Sequence, residues 1–456
     1  MICAGWMVSL LALAAAVPAA AGIAQAVVGA WLTRRFAADA VRARSEAVAT
    51  ALTGRDLPPG VSPGISVLKP LHGAEPLLEA ALASTCAQTY PSFQVVFGAA
   101  RADDPALEVV ERLRARFPAV DIAVVVDPRR HGANPKIGNL INMLPAAKHE
   151  VLVIADSDLH VAPDWLARVV AALDVPGTGL ACTLYAGLPA TGALVERLAA
   201  MQITHSFLPG AVLSRALGRQ DCLGATMALR RETLARIGGL EVLVDHLADD
   251  NVLGRRVRAL GLAVALADTV PATTVPEARL GALWRHELRW ARTIRALVPG
   301  QFAASVLQYP IAWALLALAL SGGALWTWSL FETAWVTRAL AARVIDRALL
   351  PLLAQIPRGL AFRAPLWLLP VRELLSVAVM LTSYAGRAVD WRGEALHADD
   401  GETDRFAPAF EGLGHEADQG QGEGEAGTRG AGLPPRPGVG PLRGPGPQGK
   451  GEDGTS

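Results

Sequence analysis

Apolar residues run almost unbroken from Trp6 to Trp31, with Gln25 among the few interruptions. That is long enough to cross a bilayer, which takes about 20 residues of helix. No basic stretch precedes the run and no clear cleavage site ends it, so a signal anchor is predicted rather than a removed leader. Arg34, Arg35, Arg42 and Arg44 follow. The bias of basic residues toward the inner side then predicts a cytoplasmic location for what comes next. A Gly/Pro-rich linker, Leu57 to Gly64, ends this part.

From residue 65 to about 270 the rhythm changes to alternating strand-like and helix-like stretches. Ile65–Lys69, Phe93–Phe97, Val120–Val126 and Val151–Ala155 read as strands, and Leu180–Tyr185 as a further one. Helical periodicity covers Glu75–Gln88 and Pro105–Phe117, with Asp103 or Asp104 as N-cap, and a short helix is predicted over Asn139–Ala147. The β-α-β-α-β order predicts an α/β fold: a mostly parallel, Rossmann-like sheet with right-handed crossovers and helices on both faces.

After Pro299 long apolar stretches return. Phe302–Phe331 predicts one tilted span or a hairpin broken near Gly322-Gly323. Trp335–Gln355 carries Arg338, Arg343, Asp346 and Arg347 and predicts an interfacial helix. Ala364–Tyr384 is a further span candidate whose Arg372 and Glu373 must be paired or face protein. The predicted organisation is therefore an N-terminal transmembrane anchor (1–33), a basic juxtamembrane linker (34–62), a cytosolic α/β domain (63–300), C-terminal transmembrane or interfacial helices (301–390) and a disordered tail (391–456) rich in Gly, Pro and charge.

Hydrophobic residues make up 52% of the 456 residues, which supports the membrane reading. The formal net charge is zero, so nothing points to a nucleic-acid partner. Cys3, Cys86, Cys182 and Cys222 lack metal-ligand spacing, which suits buried thiols in a reducing compartment.

Candidate chemistry begins where the Val151 strand stops abruptly on Asp156-Ser157-Asp158. Residues i and i+2 of an extended segment point the same way, and α/β folds bind ligands at the carboxyl ends of their strands. Two carboxylates aimed together suit a hard divalent cation, magnesium or manganese, which in turn favours a diphosphate. The plainer reading is a polar turn with Asp as a helix cap. Asp249-Asp250, after Gly238-Gly239, is either a helix cap or a pair containing a general base. In Trp284-Arg-His286-Glu-Leu-Arg289-Trp290-Ala-Arg292 the arginines recur at helical spacing. They suit a membrane-surface helix, and Arg289 equally suits a leaving diphosphate, whose oxygens its planar fork can grip in pairs. Lys136, in Asn134-Pro-Lys-Ile-Gly-Asn139, precedes a short helix and could reach a phosphate. His205 alone reads as a core histidine.

Taken in order, Ser66–Gly73, Asp103–Ala106, Asn134–Ile137, Asp156-Ser157, Asp249-Asp250 and Arg289-Trp290 resemble the family-2-like glycosyltransferases of GT-A fold, and among them the ceramide glucosyltransferase branch. The resemblance covers roughly residues 60 to 300 plus the flanking hydrophobic regions. Within the branch, Leu283–Arg292 is most similar to the bacterial hopanoid-biosynthesis-associated members.

The resemblance implies an inverting transfer from a UDP-sugar, UDP-N-acetylglucosamine in the hopanoid members, to a membrane lipid such as a hopanoid polyol. The alternative is ceramide glucosylation with UDP-glucose, and a third reading is a non-catalytic membrane scaffold. It implies a bacterial inner-membrane, multi-pass protein with its site toward the cytoplasm. It puts Asp250 as general base beside Asp249, Arg289 and Trp290 at the end of a (Q/R)xxRW motif, and His205 near donor or acceptor. Lys69, Pro70, Lys136, Asp156 and His286 fall on the donor side, with the divalent cation on Asp156 and Asp158. Two departures stand out. Arg101 occupies the place of the family's first aspartate, with Asp103 or Asp104 as substitutes, and His286 replaces the opening Gln or Arg of the motif.

Overall fold

The computed structural model describes residues 2–52, 63–354, 363–386, 388–391 and 394–397. Ten strands belong to the α/β body: β1 (Ile65–Pro70), β2 (Phe93–Ala99), β3 (Asp121–Val126), β4 (Val151–Ala155), β5 (Leu159–His160), β6 (Thr178–Cys182), β7 (Ala186–Pro189), β8 (Thr226–Arg230), β9 (Ala263–Leu266) and β10 (Ala272–Val275). The main sheet has the order β3-β2-β1-β4-β8-β6-β9, with β8 antiparallel to both neighbours and every other pairing parallel. Both faces are covered, which is why the central strands read as continuous apolar runs. Val151 and Val153 pack with Trp165 and Val169 on one face. Leu152 and Ile154 pack with Leu140, Met143 and Leu253 on the other. The expected α/β architecture is present.

A second sheet, β5-β10-β7, stands beside the carboxyl end of β4. Its antiparallel register sets Thr273 opposite Leu159, and the Thr274 amide donates to the Asp158 carbonyl at 3.2 Å. The segment after β4 is thereby fixed from a distant part of the chain.

Some boundaries differ from the sequence reading. The helix expected over 139–147 begins at Pro135, because Asn134 caps it: its side-chain oxygen accepts from the Ile137 amide at 3.1 Å. Lys136 therefore lies in the first helical turn, not ahead of it. The first helix, Ile2–Leu52, continues into the stretch expected to be a linker, whose residues 53–62 lie outside the described residues. That stretch is alanine-rich and favours helix, and Arg44 docks it on Asp164 at 2.6 Å.

Among the described residues two helices are long and apolar enough to cross a membrane, Ser9–Glu46 and Leu366–Ser383. The pair Pro299–Gln308 and Pro310–Leu320, bent by 70°, makes a third if it is one broken span. Proline at 310 cannot donate to the preceding turn, so the bend falls there. The break near Gly322 and Gly323 is also present, both glycines having positive φ. The stretch Trp335–Gln355, of which Gln355 lies outside the described residues, does not contain a separate surface helix. It belongs to the longer helix Leu325–Leu353, which packs along the first helix. Two of the charges that suggested an interface point inward: Arg338 donates to Glu373 at 2.7 Å, and Asp346 accepts from His205 at 2.8 Å, whereas Arg347 is exposed. In the stretch read as tail, Glu394–His397 pairs antiparallel with Ala388–Trp391. The remaining tail, from 398 onward, lies outside the described residues.

Candidate active site

Asp156 follows the last residue of β4 and is held by its backbone. Its amide donates to Ala225 O at 3.2 Å, and its carbonyl accepts from Lys69 Nζ at 2.7 Å. Lys69 is fully buried beneath it, and burial lowers its pKa to about 8, offset in part by Asp158 and Asp156. The Asp156 carboxylate meets Lys136 Nζ at 2.8 Å, and the same ammonium lies 3.8 Å from Asp249 Oδ2. Burial would lower Lys136, but Asp156 and Asp249 outweigh it and hold the ammonium well above its ordinary value. One cation thus joins the strand-end acid to the first turn of the helix Asp249–Ala259.

Asp249 and Asp250 are not caps. The capping position is Ala248, with no side-chain bond, and both acids lie inside the helix. Burial raises Asp249 despite Lys136. Asp250 is pushed up to about 7, by burial first and then by Asp249. Gly224 makes room for it: a Cβ there would lie 2.9 Å from Asp250 Oδ2.

Asp158 accepts from the Thr273 hydroxyl. Burial, and then Asp156, push its pKa up to about 7. Two carboxylates so crowded that one resists ionisation are a suitable seat for a dication, which would relieve the repulsion. The donor set fits a hard ion that takes its other ligands from water and a diphosphate. Among the described residues no group of three or more His, Cys, Asp or Glu could close around an ion.

These groups open on one cavity of about 1590 Å³. Pro70, Lys136, Asp156, Asp158, Asp249, Asp250, His286, Arg289 and Trp290 all line it. His286 Nδ1 pairs with Glu277, and its ring stands edge-on to Trp290, centroids 4.5 Å apart. Other proposed residues lie elsewhere. Asp103 is exposed and pairs with Arg101, so it stands on the surface. Asp104 ties two loops, accepting from the Gly73 amide at 3.0 Å and the Ala106 amide at 2.9 Å. His205 is turned away from the main cavity toward Asp346. Sequence reasoning passed over Tyr185, Thr273, Glu277 and Gly224. Tyr185 lines the cavity, where burial and then Asp250 keep its hydroxyl from ionising. No local signal marks Thr273 or Gly224, because each matters through a partner far along the chain.

The sequence profile of glycosyl transferase family 21 matches residues 14–404. The chain belongs to glycosyl transferase family 21. This family 21 chain is similar to the ceramide glucosyltransferase of Komagataella phaffii, 34% identical over 122 residues that cover 26% of this chain and 24% of the relative. It is also similar to ceramide glucosyltransferase 1 of Caenorhabditis elegans, 23% identical over 252 residues covering 54% and 53%. The chain spans about half the length, or less, of these curated relatives. Among solved structures it is similar to the mannosyltransferase PcManGT from Pyrobaculum calidifontis in complex with GDP-Man and Mn2+, with 20% identity, a TM-score of 0.44, and 83% of this chain and 99% of that chain covered. The mostly parallel sheet with helices on both faces is the GT-A architecture expected of a family 21 chain.

Proposed function

We propose that this protein transfers a sugar from a UDP-sugar to a hydroxyl of a membrane lipid, with inversion at the anomeric carbon. The observation that carries the reading is the single cavity running from Lys136, Asp156 and Asp250 to a wall made by the first apolar helix. Family membership and the names of the ceramide glucosyltransferase relatives support it.

In this reading the lipid hydroxyl gives its proton to Asp250 as its oxygen bonds to the anomeric carbon, while the bond from that carbon to the diphosphate breaks. A carboxylate held near pKa 7 is well matched to general-base work at neutral pH. Lys136 bridges Asp156 and Asp249 beside it, at 2.8 and 3.8 Å. Arg289 takes the leaving diphosphate with its planar fork, aided by His286, whose ring Glu277 orients. Trp290 packs against His286 and fixes its ring. Asp156 and Asp158 would hold a magnesium or manganese ion, which when bound supplies Lewis-acid stabilisation of the leaving oxygens.

Two acceptor and donor pairs stand. The names of the relatives favour glucosylation of ceramide, for which we propose UDP-glucose as donor. The Leu283–Arg292 resemblance favours a hopanoid polyol with UDP-N-acetylglucosamine. The same reading puts the protein in a bacterial inner membrane, crossing it more than once, with Arg34 and Arg35 on the cytoplasmic side with the site. Membranes carrying the protein, supplied with labelled UDP-glucose or UDP-N-acetylglucosamine and either lipid, should form a labelled glycolipid. Absence of product from every pair would overturn the assignment in favour of a non-catalytic scaffold.

A further inference from the structure

The cavity of about 1590 Å³ exceeds the roughly 300–1,000 Å³ of an ordinary ligand pocket and has room for two occupants. Its strand-end side carries the acids and Lys136. Gln25, Gln202, Gln301 and Gln308, from four separate segments, also line the cavity; Gln202 accepts from Ser376 and Gln308 donates to Tyr309, both at 3.0 Å. Gln25 is the only polar side chain between Leu10 and Leu32. At 1.5 Å per residue it lies about 14 Å along the helix from Arg34, on the apolar side. A polar side chain at such a depth is costly unless it faces protein or a cavity.

The helix is built to present it. A Cβ at Gly22 would collide with the Leu307 carbonyl, and one at Gly29 would lie 3.2 Å from Pro209 Cβ. The helix is therefore in close contact with two different segments, one on either side of Gln25. Between those contacts Ala24, Gln25 and Val28 form part of the cavity wall.

We propose that this glutamine-lined wall is the acceptor site, and that it selects an uncharged amphiphile whose head bears a second hydrogen-bonding group beside the reacting hydroxyl. Neutral amides both donate and accept, so they read hydroxyls and amides without calling for charge. Val28 and Ala24 give the hydrocarbon body an apolar exit toward the bilayer. The first helix is then part of the specificity machinery as well as an anchor. This rests on the lipid-transfer reading above.

The test uses the full-length protein in lipid nanodiscs, with ceramide and bacteriohopanetetrol as probes. Gln25→Leu and Gln301→Leu should each raise the KM for whichever lipid the wild type glycosylates by roughly five- to tenfold, the loss of one hydrogen bond. Affinity for the UDP-sugar and its slow hydrolysis without acceptor should not change. Val27→Trp, on an exposed position of the same helix outside the cavity wall, is the control and should leave the acceptor KM alone. An unchanged KM in both glutamine variants, or an equal rise in the control, overturns the acceptor wall while leaving lipid transfer intact. A wild type that glycosylates neither lipid removes the transfer reading, and this inference with it.

Discussion

Glu287 and Arg372 meet in a two-pronged pair, Nη1 to Oε1 at 2.8 Å and Nη2 to Oε2 at 2.6 Å, with both side chains buried. The pair joins the helix Leu280–Leu297, which carries His286, Arg289 and Trp290, to the helix Leu369–Ser383. Arg372 also donates to Leu198 O at 3.2 Å, and the neighbouring Glu373 accepts from Arg338. The two charges that look prohibitive in an apolar stretch are therefore neutralised inside the protein. Removing one partner of a buried pair leaves an uncompensated charge and costs about 3–5 kcal/mol. Arg372→Met should lower the thermal unfolding temperature sharply in detergent, and adding Glu287→Gln should recover much of it. Equal melting of the single variant and the wild type would mean that the pair contributes nothing.

Asp250→Asn keeps the shape and removes the basic oxygen. Transfer should fall by about 10²–10⁴-fold, while UDP-sugar binding, measured by calorimetry, stays close to wild type. Near-normal turnover would remove Asp250 as the base.

The raised pKa of Asp250 sets a pH profile. The base works ionised, so log kcat/KM should climb with unit slope below about 7 and level off above it. Stability runs the other way. The folded state keeps a proton that the unfolded chain loses near pH 4, so this group's contribution falls as pH rises from about 4 to about 7. A rate that is flat from pH 5 to 8 would contradict the assignment.

Gly224→Ala tests the cradle of the base without touching its chemistry. The new methyl would lie 2.9 Å from Asp250 Oδ2 and 3.2 Å from its Cγ, so the carboxylate must move. Displacements of about 1 Å can cost on the order of 10²-fold. The loss should appear in kcat, with a small change in melting temperature.

Asp158→Ala removes one of the two crowded carboxylates. If they share a cation, the manganese concentration that gives half-maximal transfer should rise at least tenfold. A wild type fully active in excess chelator would exclude a cation from this pair.

Local signals made much of this protein legible. The continuous apolar runs of β1, β2 and β4 announced buried parallel strands, and their abrupt polar ends located Asp156 and Asp158. The acids at 249–250 and the Arg289-Trp290 pair were visible as charged breaks in helical patterns. Features that depend on a partner were not visible. Whether 249–250 cap a helix or face a cavity depends on where Lys136 arrives, 113 residues earlier. Asp103 and Asp104 are adjacent and chemically identical, yet one pairs with Arg101 at the surface and the other ties two loops. His205 was placed near the substrates by resemblance, but a π-helical turn at Ile203–Phe207 points it to Asp346.

The sequence by itself determined the class of fold, the apolar helices and which side chains are chemically able to act, because periodicity, propensity and residue type are local. Only the tertiary structure decided which of those side chains share a cavity, that charges in an apolar helix cancel each other, and that Gln25 lines the cavity wall. Those outcomes depend on distances between groups far apart along the chain, and burial and Coulomb energy follow such distances, not the order of residues.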